Sequence, residues 1–197
     1  MDADIKTTSI SVGASHSQFS QVLELRTAVY RSAGKHSSST LMTDAFDEHS
    51  IHIVIWKGGH PIASARIIDL PPDGRWEHDR FVSWPASWPC RSNCAEISRF
   101  CIHPKHRSWK TIKSLCEGIA KAMYSTEKDN SIACCTKDME SFYVNFFGAK
   151  MSEIKFTHSD LGPETHRMFV CNYKHGLLGV GIKIKDWLGL WPKSTLV

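Results

Sequence analysis

The chain has 197 residues, 42% hydrophobic and 22% charged, which is the balance of one folded domain of ordinary size. Its formal net charge of +4 is too small to indicate nucleic-acid binding, and no zinc-finger, basic-helix or RNA-recognition signature is present. No run of about 18 apolar residues occurs, so we expect no membrane span. We interpret the seven scattered cysteines as reduced thiols of a cytoplasmic protein.

Hydrophobic periodicity and turn residues predict a mixture of helices and strands in a single domain over 1–197. In chain order, the predicted elements are a helix over Ser17–Ser32, strands over Ile51–Trp56 and Pro61–Asp69, the strand that contains Glu96, a helix over Trp109–Ser125, a strand over Ser131–Thr136, a helix over Asp138–Phe146, and strands over Lys150–Phe156 and Thr165–Tyr173. A C-terminal tail follows from about residue 176.

A long segment, Leu70–Asn93, has no regular pattern and contains four prolines and three tryptophans. Long loops inside compact domains are commonly functional. Its apolar side chains could line a tunnel for an apolar ligand or pack as ordinary core, and both interpretations stay open at this point. The shorter Ser-rich loop Gly34–Thr43 has no strong pattern, and we expect it to be mobile.

The most informative stretch is 96–107, where an apolar strand carries a carboxylate, a hydroxyl and a guanidinium within four residues. Burying unpaired charge is costly, so such a strand indicates the floor of a site. Strict alternation predicts that Glu96 and Ser98 share one face and that Arg99 lies on the other. The strand ends at His103-Pro104, and a basic turn leads into a helix whose start would attract an anion.

Five features fall in register with a known family: an arginine, an aromatic residue four positions later, an acidic pair, a strand arginine and a Glu-x-Ser-Arg-Phe sequence. They are Arg26, Tyr30, Asp44 with Asp47, Arg66, and Glu96-Ile97-Ser98-Arg99-Phe100. Over about 23–156 the chain thereby resembles the GNAT superfamily of N-acyltransferases, and within it the acyl-homoserine-lactone (autoinducer) synthases and the N-acyl amino acid synthases. The resemblance implies an α/β (α+β) fold with a mixed central sheet flanked by helices. The fourth and fifth strands of that fold splay apart to form the acyl-donor cleft.

The chain departs from the family pattern in two places that bear on its substrates. GNAT acetyltransferases wrap the CoA pyrophosphate with a glycine-rich loop, but Lys110 and Ile112 occupy the glycine positions here. This favours an acyl group tethered to a carrier protein over acyl-CoA. The tryptophan that autoinducer synthases carry after the aromatic residue is absent, His36 lies near its position, and Tyr30 stands where they favour Phe. These changes favour an amino acid over S-adenosylmethionine as the acceptor.

The resemblance also implies a division of roles, because acyl transfer to an amine must remove a proton and stabilise an oxyanion. Glu96 is expected to act as general base through a water, with Ser98 and Arg99 as further catalytic residues. Backbone N–H groups near Ser131–Thr136 would hold the thioester carbonyl. The residues expected to bind the acceptor are Arg26, Tyr30, Asp44, Asp47, Arg66 and Phe100. A compatible alternative is a structural ion network that holds the first helix to the sheet.

Basic residues surround the start of the Trp109–Ser125 helix, where they and the helix dipole would attract phosphate. We expect this region to bind the phosphopantetheine of an acidic acyl carrier protein through Ile102, Lys105, His106, Arg107, Lys110 and Lys113. The alternative is a solvated helix face. The apolar cluster at Trp187–Trp191 is expected to dock on the protein, with peripheral membrane contact as the alternative.

Together these features predict an N-acyltransferase that uses an acyl carrier protein or acyl-CoA as donor and a small-molecule amine as acceptor. No permanently bound cofactor is expected, and no metal, because the His49/His52 and His103/His106 pairs lack a third ligand. Cys134 and Cys135 lie in an apolar strand, so we interpret them as core thiols rather than as nucleophiles. The alternatives are an autoinducer synthase that uses S-adenosylmethionine, an acetyl-CoA-dependent N-acetyltransferase, and a binding module without turnover.

Overall fold

The structure is a computed structural model that describes residues 5–10, 16–36, 38, 40–69, 74–159 and 161–179. The strands are β1 (Ile5–Ile10), β2 (Ile51–Lys57), β3 (His60–Ile68), β4 (Cys94–Ile102), β5 (Asn130–Thr136), β6 (Lys150–Thr157) and β7 (Thr165–Asn172). The helices are α1 (His16–Ser32), α2 (Trp109–Ser125), α3 (Lys137–Phe147) and α4 (Tyr173–Gly179).

The strands form one sheet in the order β1-β2-β3-β4-β5-β7-β6. All neighbouring strands are antiparallel except β4 and β5, which are parallel and are joined by a crossover through α2. Helices cover both faces, as β2 illustrates: Ile53 and Ile55 belong to the cluster that contains Leu115 of α2, whereas Val54 and Trp56 pack on Val22 of α1. This is why β2 is an almost continuous apolar run.

The close approach of α2 to the sheet requires a glycine at position 118. A Cβ atom built on Gly118 would lie 2.5 Å from Cγ2 of Ile53 and 2.9 Å from Cγ2 of Thr7. Gly118 therefore sets the distance between α2 and the strands β1 and β2. That distance in turn fixes where the later residues of α2 meet the site.

Each helix and strand predicted from the sequence is present, with bounds that agree within one residue. β1 and α4 were not predicted. In the long loop, short 3₁₀ turns occur at Glu77–Arg80 and Arg91–Asn93. Its tryptophans Trp76, Trp84 and Trp88 pack against Ile68, Cys94 and Ile132 as a core cluster, which favours the packing interpretation for these three residues.

The predicted alternation along β4 is wrong at Arg99. The pairs Ser64–Cys101 and Arg66–Ser98 leave one residue of β3 opposite two of β4, which defines a β-bulge. Arg99 has a φ of 53°, in the left-handed region. The bulge turns its side chain toward the carboxylates that bind Arg66, so Arg99 joins the face of Ser98.

The described part of the C-terminal region ends with α4 at Gly179. The apolar cluster at Trp187–Trp191 lies outside the described residues. None of the helices in the described ranges combines the length and the apolar character that crossing a bilayer requires.

Candidate active site

The two parallel strands in the middle of the sheet separate after a short pairing. β4 and β5 pair only from Cys94 to Glu96 and from Asn130 to Ile132, although both strands continue for several residues. The space between the separated segments holds an inner cavity of about 160 Å³. It adjoins an outer groove of about 480 Å³. Tyr30, Phe100 and Cys134 line both, so the two spaces meet at these side chains.

The inner cavity is largely apolar with one polar end. Its apolar lining comes from β4, α2, α3 and β7: Ile97, Phe100, Ile119, Ala120, Phe142, Phe147 and Phe169. The polar end is formed by Glu77, His78, Ser98, Arg99 and His158. An apolar cavity with a few convergent polar groups is the usual form of a small-molecule site.

A network of buried ion pairs lies next to this polar end of the inner cavity. Arg26 of α1 donates from Nη1 to both carboxylate oxygens of Asp47, at 2.9 and 3.0 Å. Arg66 donates to Asp44 at 2.6 Å, to Asp47 at 3.0 Å and to Glu77 at 2.6 Å, and its Nε binds Ser98 Oγ at 2.9 Å. Arg26, Asp47 and Arg66 are almost completely buried. These three residues therefore hold α1 and the following loop to the sheet.

Arg99 and Asp44 form the side of the same network that borders the pockets. Arg99 Nη2 donates to Asp44 at 2.6 Å and to Glu77 at 2.5 Å, while its buried Nε has no hydrogen-bond partner among the described residues. The Asp44 side chain keeps 18% of its surface exposed. Both residues line a side pocket together with Lys35 and Ser159, and Arg99 also lines the inner cavity. Arg99 thus connects the side pocket to the inner cavity.

Glu96 is separate from the arginine network and contacts His78 instead. Its Oε2 lies 3.0 Å from His78 Nδ1 and accepts the backbone N–H of His78 at 3.2 Å. Glu96 is fully buried, and its Oε1 has no hydrogen-bond partner within the described ranges. His78, rather than Glu96, lines the inner cavity, as does Cys134 of β5.

The electrostatics of the site follow from this pairing. Burial alone would lower the pKa of His78, but the neighbouring Glu96 raises it, and the net pKa lies well above the ordinary value. Burial would raise the pKa of Asp47, but Arg26 and Arg66 lower it to about 2. Burial likewise opposes the lowered pKa of Glu77, which results from His158 and the two arginines. Near neutral pH the site therefore holds ionised carboxylates and a protonated His78.

The structure brings together only part of the set predicted from the sequence. Tyr30, Ser98, Arg99 and Phe100 line the inner cavity, and Ile102 with Arg107 lines the outer groove. Around the start of α2, Lys105 and Lys110 are exposed and His106 and Lys113 are partly buried. Ser108 caps this helix by accepting from the N–H of Thr111. Among the described residues, no group of His, Cys, Asp and Glu side chains could hold a metal ion.

The sequence-based set omitted Glu77, His78, His158 and Cys134. Glu77 and His78 belong to a charged run, Glu77-His78-Asp79-Arg80, within the long tryptophan-rich loop. A charged run inside an otherwise apolar loop is the sequence feature that could have indicated Glu77 and His78 as site residues. His158 follows β6 and Cys134 lies in β5, and nothing in their local sequence indicated a site.

Comparison with known proteins agrees with this architecture. Residues 25–117 match the family described as Acetyltransferase (GNAT) domain. The acyl-homoserine-lactone synthase LasI is 14% identical with a TM-score of 0.69, over 91% of this chain and 95% of its own. FeeM, an N-acyl amino acid synthase from uncultured soil microbes, is 11% identical with a TM-score of 0.64, over 91% and 100%. A search of curated proteins gave no match.

A third structure adds a CoA-dependent relative. BjaI, an acyl-homoserine-lactone synthase solved with S-adenosylmethionine and isopentyl-CoA, is 11% identical with a TM-score of 0.67, over 91% of this chain and 90% of its own. At these identities the likeness establishes the fold. Residues 25–117 thus match a GNAT acetyltransferase domain, and the chain has the fold of the autoinducer and N-acyl amino acid synthases.

Proposed function

We propose that the protein transfers a fatty acyl group from a thioester to the amine of an amino acid or a related metabolite. The observation that carries this proposal is the opening between β4 and β5, which leads from the outer groove into an apolar cavity with a charged end. A pantetheine arm fits the groove, and an acyl chain fits the cavity. Past Glu96, β4 has no strand partner on this side within the described residues, so backbone N–H groups there are available to a thioester carbonyl.

The proposed acceptor site is the side pocket. An amino acid carries an ammonium and a carboxylate, and the pocket offers the partly exposed Asp44 carboxylate beside the Arg99 guanidinium. S-adenosylmethionine carries the same amino and carboxylate groups, so it remains the alternative acceptor and would make the protein an autoinducer synthase. Acyl-CoA is the alternative donor, because the structural relative BjaI is a CoA-dependent synthase.

The acceptor ammonium first loses one proton to solvent. The reaction then forms a C–N bond, breaks a C–S bond and moves one further proton from nitrogen to sulfur. Glu96 was expected to take that proton through a water, but its burial behind His78 leads us to propose His78 as the group that reaches the substrates. A protonated His78 donates to the leaving sulfur and then accepts the proton from nitrogen, while Glu96 holds the imidazole and its charge.

The test is mass spectrometry of lipid extracts from a bacterial host that expresses the protein, the Glu96→Ala variant or the Glu153→Ala variant. Glu153→Ala is the control, because Glu153 is exposed on β6 and its replacement also removes one carboxylate, but outside the site. We expect a new N-acyl amino acid or acyl-homoserine lactone with the wild type and Glu153→Ala, and none with Glu96→Ala. Equal product from all three proteins would contradict the role of Glu96, and no product from any would favour acetyl transfer from CoA or a binding role.

A further inference from the structure

Cys134 occupies a position that the proposed function does not use. It is on β5, beyond the residues that pair with β4, and it is the β5 residue that lines both the inner cavity and the outer groove. A thioester whose arm lies in the groove and whose acyl chain lies in the cavity would have its carbonyl at this junction. The thiol is therefore next to the bond that must break.

The surroundings of Cys134 supply the groups that nucleophilic catalysis by a thiol requires. Cys134 and His78 line the same inner cavity, Cys134 is one of the groups that raise the pKa of His78, and His78 Nδ1 lies 3.0 Å from Glu96 Oε2. A nucleophile, a histidine and a carboxylate that orients the histidine are the elements of a catalytic triad. Glu96 and His78 are almost completely buried, and Glu96 Oε1 has no hydrogen-bond partner among the described residues. Buried polar atoms without partners are uncommon in native proteins and indicate a functional demand.

The other six cysteines lack this combination. All seven are free thiols, and Cys90 is exposed. Cys135 is buried in the next position of the same strand and lines only the outer groove. Cys116 and Cys171 line the inner cavity but not the outer groove, and Cys94 and Cys101 do not line the inner cavity.

We propose that Cys134 is an acyl-accepting nucleophile and that the protein transfers its acyl group in two steps through an acyl-cysteine; this rests on the proposed function. In the first step the Cys134 sulfur bonds to the thioester carbonyl carbon, the bond from that carbon to the donor sulfur breaks, and His78 gives its proton to the donor sulfur and takes the thiol proton. In the second step the acceptor nitrogen bonds to the same carbon, the bond to Cys134 breaks, and His78 gives its proton to Cys134 and takes one from the acceptor nitrogen. The sum is one amide and one free donor thiol.

The test is intact-protein mass spectrometry after the full chain is incubated without an amine acceptor. The probes are hexanoyl and dodecanoyl thioesters of CoA and of an acyl carrier protein. We expect one acyl adduct per chain, located at Cys134 by peptide mapping and released by hydroxylamine, as a thioester should be. After the amine acceptor is added, the rate at which the adduct disappears should equal or exceed the turnover rate of the enzyme.

Variants separate this inference from the proposed function. Cys134→Ala should lose the adduct and about a hundredfold or more of turnover, and His78→Gln should form the adduct at least about tenfold more slowly. Cys90→Ala, at an exposed position that lines none of the three spaces, should behave as the wild type. Turnover without an adduct at Cys134, or a Cys134→Ala variant that keeps its rate, would overturn the acyl-cysteine and leave the proposed function intact. An absence of both adduct and turnover with all four donors would overturn both. Because the wild-type adduct is mapped directly, the test does not depend on the folding of a variant.

Discussion

At the scale of single residues, the two aspartates of the acidic pair have different surroundings. Asp47 accepts from Arg26, Arg66, Thr43 and the backbone N–H of Asp44, and it is almost fully buried. Asp44 binds Arg66 and Arg99 but keeps part of its surface in the side pocket. The structural interpretation therefore applies to Asp47, and the substrate-binding interpretation applies to Asp44.

Exchanging each aspartate for asparagine should separate the two roles. Asp47→Asn removes the charge that compensates Arg26, and breaking a buried ion pair costs about 3–5 kcal/mol. We expect urea denaturation to show that loss for Asp47→Asn and a smaller one for Asp44→Asn. The kinetic effect should be reversed, with the acceptor KM rising about tenfold in Asp44→Asn. Equal losses of stability in the two variants would contradict this division.

His52 should make the stability of the protein depend on pH below neutrality. Burial and the nearby Arg26 lower the pKa of His52 from its ordinary value of 6.5 to about 4. Between these two pH values the unfolded chain binds more protons than the folded protein, so stability falls as the pH falls. The loss should approach about 3 kcal/mol, at about 1.4 kcal/mol for each pKa unit.

Urea denaturation at several pH values from 7 to 4 measures this loss directly. His78 contributes the opposite slope near pH 7, because its raised pKa keeps it protonated in the folded protein while the unfolded chain binds that proton only as the pH falls through 6.5; at lower pH it is protonated in both states and adds no slope. His166, whose pKa is also lowered, contributes with the same sign as His52. In the His52→Gln variant, the free energy of unfolding should therefore depend less on pH than in the wild type. The part of the pH dependence that comes from His166 should remain. An unchanged slope would show that His52 does not titrate as described.

At the scale of elements, the sequence predicted what depends on local patterns. The apolar stripe of α2, with Leu115, Ile119 and Met123 buried, predicts that helix correctly. β1 escaped prediction because Lys6-Thr7-Thr8-Ser9 is a polar stretch, which becomes a strand only by pairing with the edge of β2. Such pairing is a tertiary effect that local periodicity does not contain.

The residues predicted for the candidate site share one element, and those not predicted lie where distant elements meet. The Glu96-to-Phe100 motif lies on a strand that lines the inner cavity, but a rule of strict alternation cannot anticipate the bulge at Arg99. The contact between His78 and Glu96 joins the long loop to β4 and is set by the packing of the whole loop. The tryptophans that anchor the loop explain why it could carry a rigid Glu77-His78 pair into the site.

The elements around the inner cavity should limit the length of the acyl chain. An engineered protein cavity of about 150 Å³ holds one benzene molecule, so a cavity of about 160 Å³ suits roughly six to eight carbons. Ala120 of α2 is buried and lines this cavity. Ala120→Val adds two methyl groups to its wall and should shift the preferred donor to a chain shorter by about two carbons.

A series of acyl donors of increasing length, compared by kcat/KM, measures this shift. Ala122→Val is the matched control, because Ala122 is buried on the same helix but does not line the cavity. Its chain-length profile should equal that of the wild type, even if overpacking lowers its stability. A profile that moves equally in both variants would mean that the cavity does not receive the acyl chain.

At the scale of the whole molecule, the outer groove and the side pocket are two separate routes to the inner cavity. The inner cavity shares Cys134 with the outer groove and Arg99 with the side pocket. A donor that enters by the groove and an acceptor that enters by the side pocket therefore meet at the polar end without competing for one entrance. This arrangement makes the surface around the outer groove the place where a carrier protein would dock.

The basic residues at the start of α2 should provide that docking surface. Lys110 is exposed and Lys113 partly exposed, and Arg107 next to them lines the outer groove. Lys110→Glu with Lys113→Glu should raise the KM for an acidic acyl carrier protein about tenfold at low ionic strength and leave kcat unchanged. Lys150→Glu with Lys155→Glu makes the same change in net charge on exposed positions of β6, away from the groove, and should leave that KM as it is.

Because exposed charges are screened by salt, the difference in KM between the two double variants should shrink as ionic strength rises. An equal rise in KM for both would attribute the effect to net charge, and no rise in either would leave the residues around α2 as a solvated helix face.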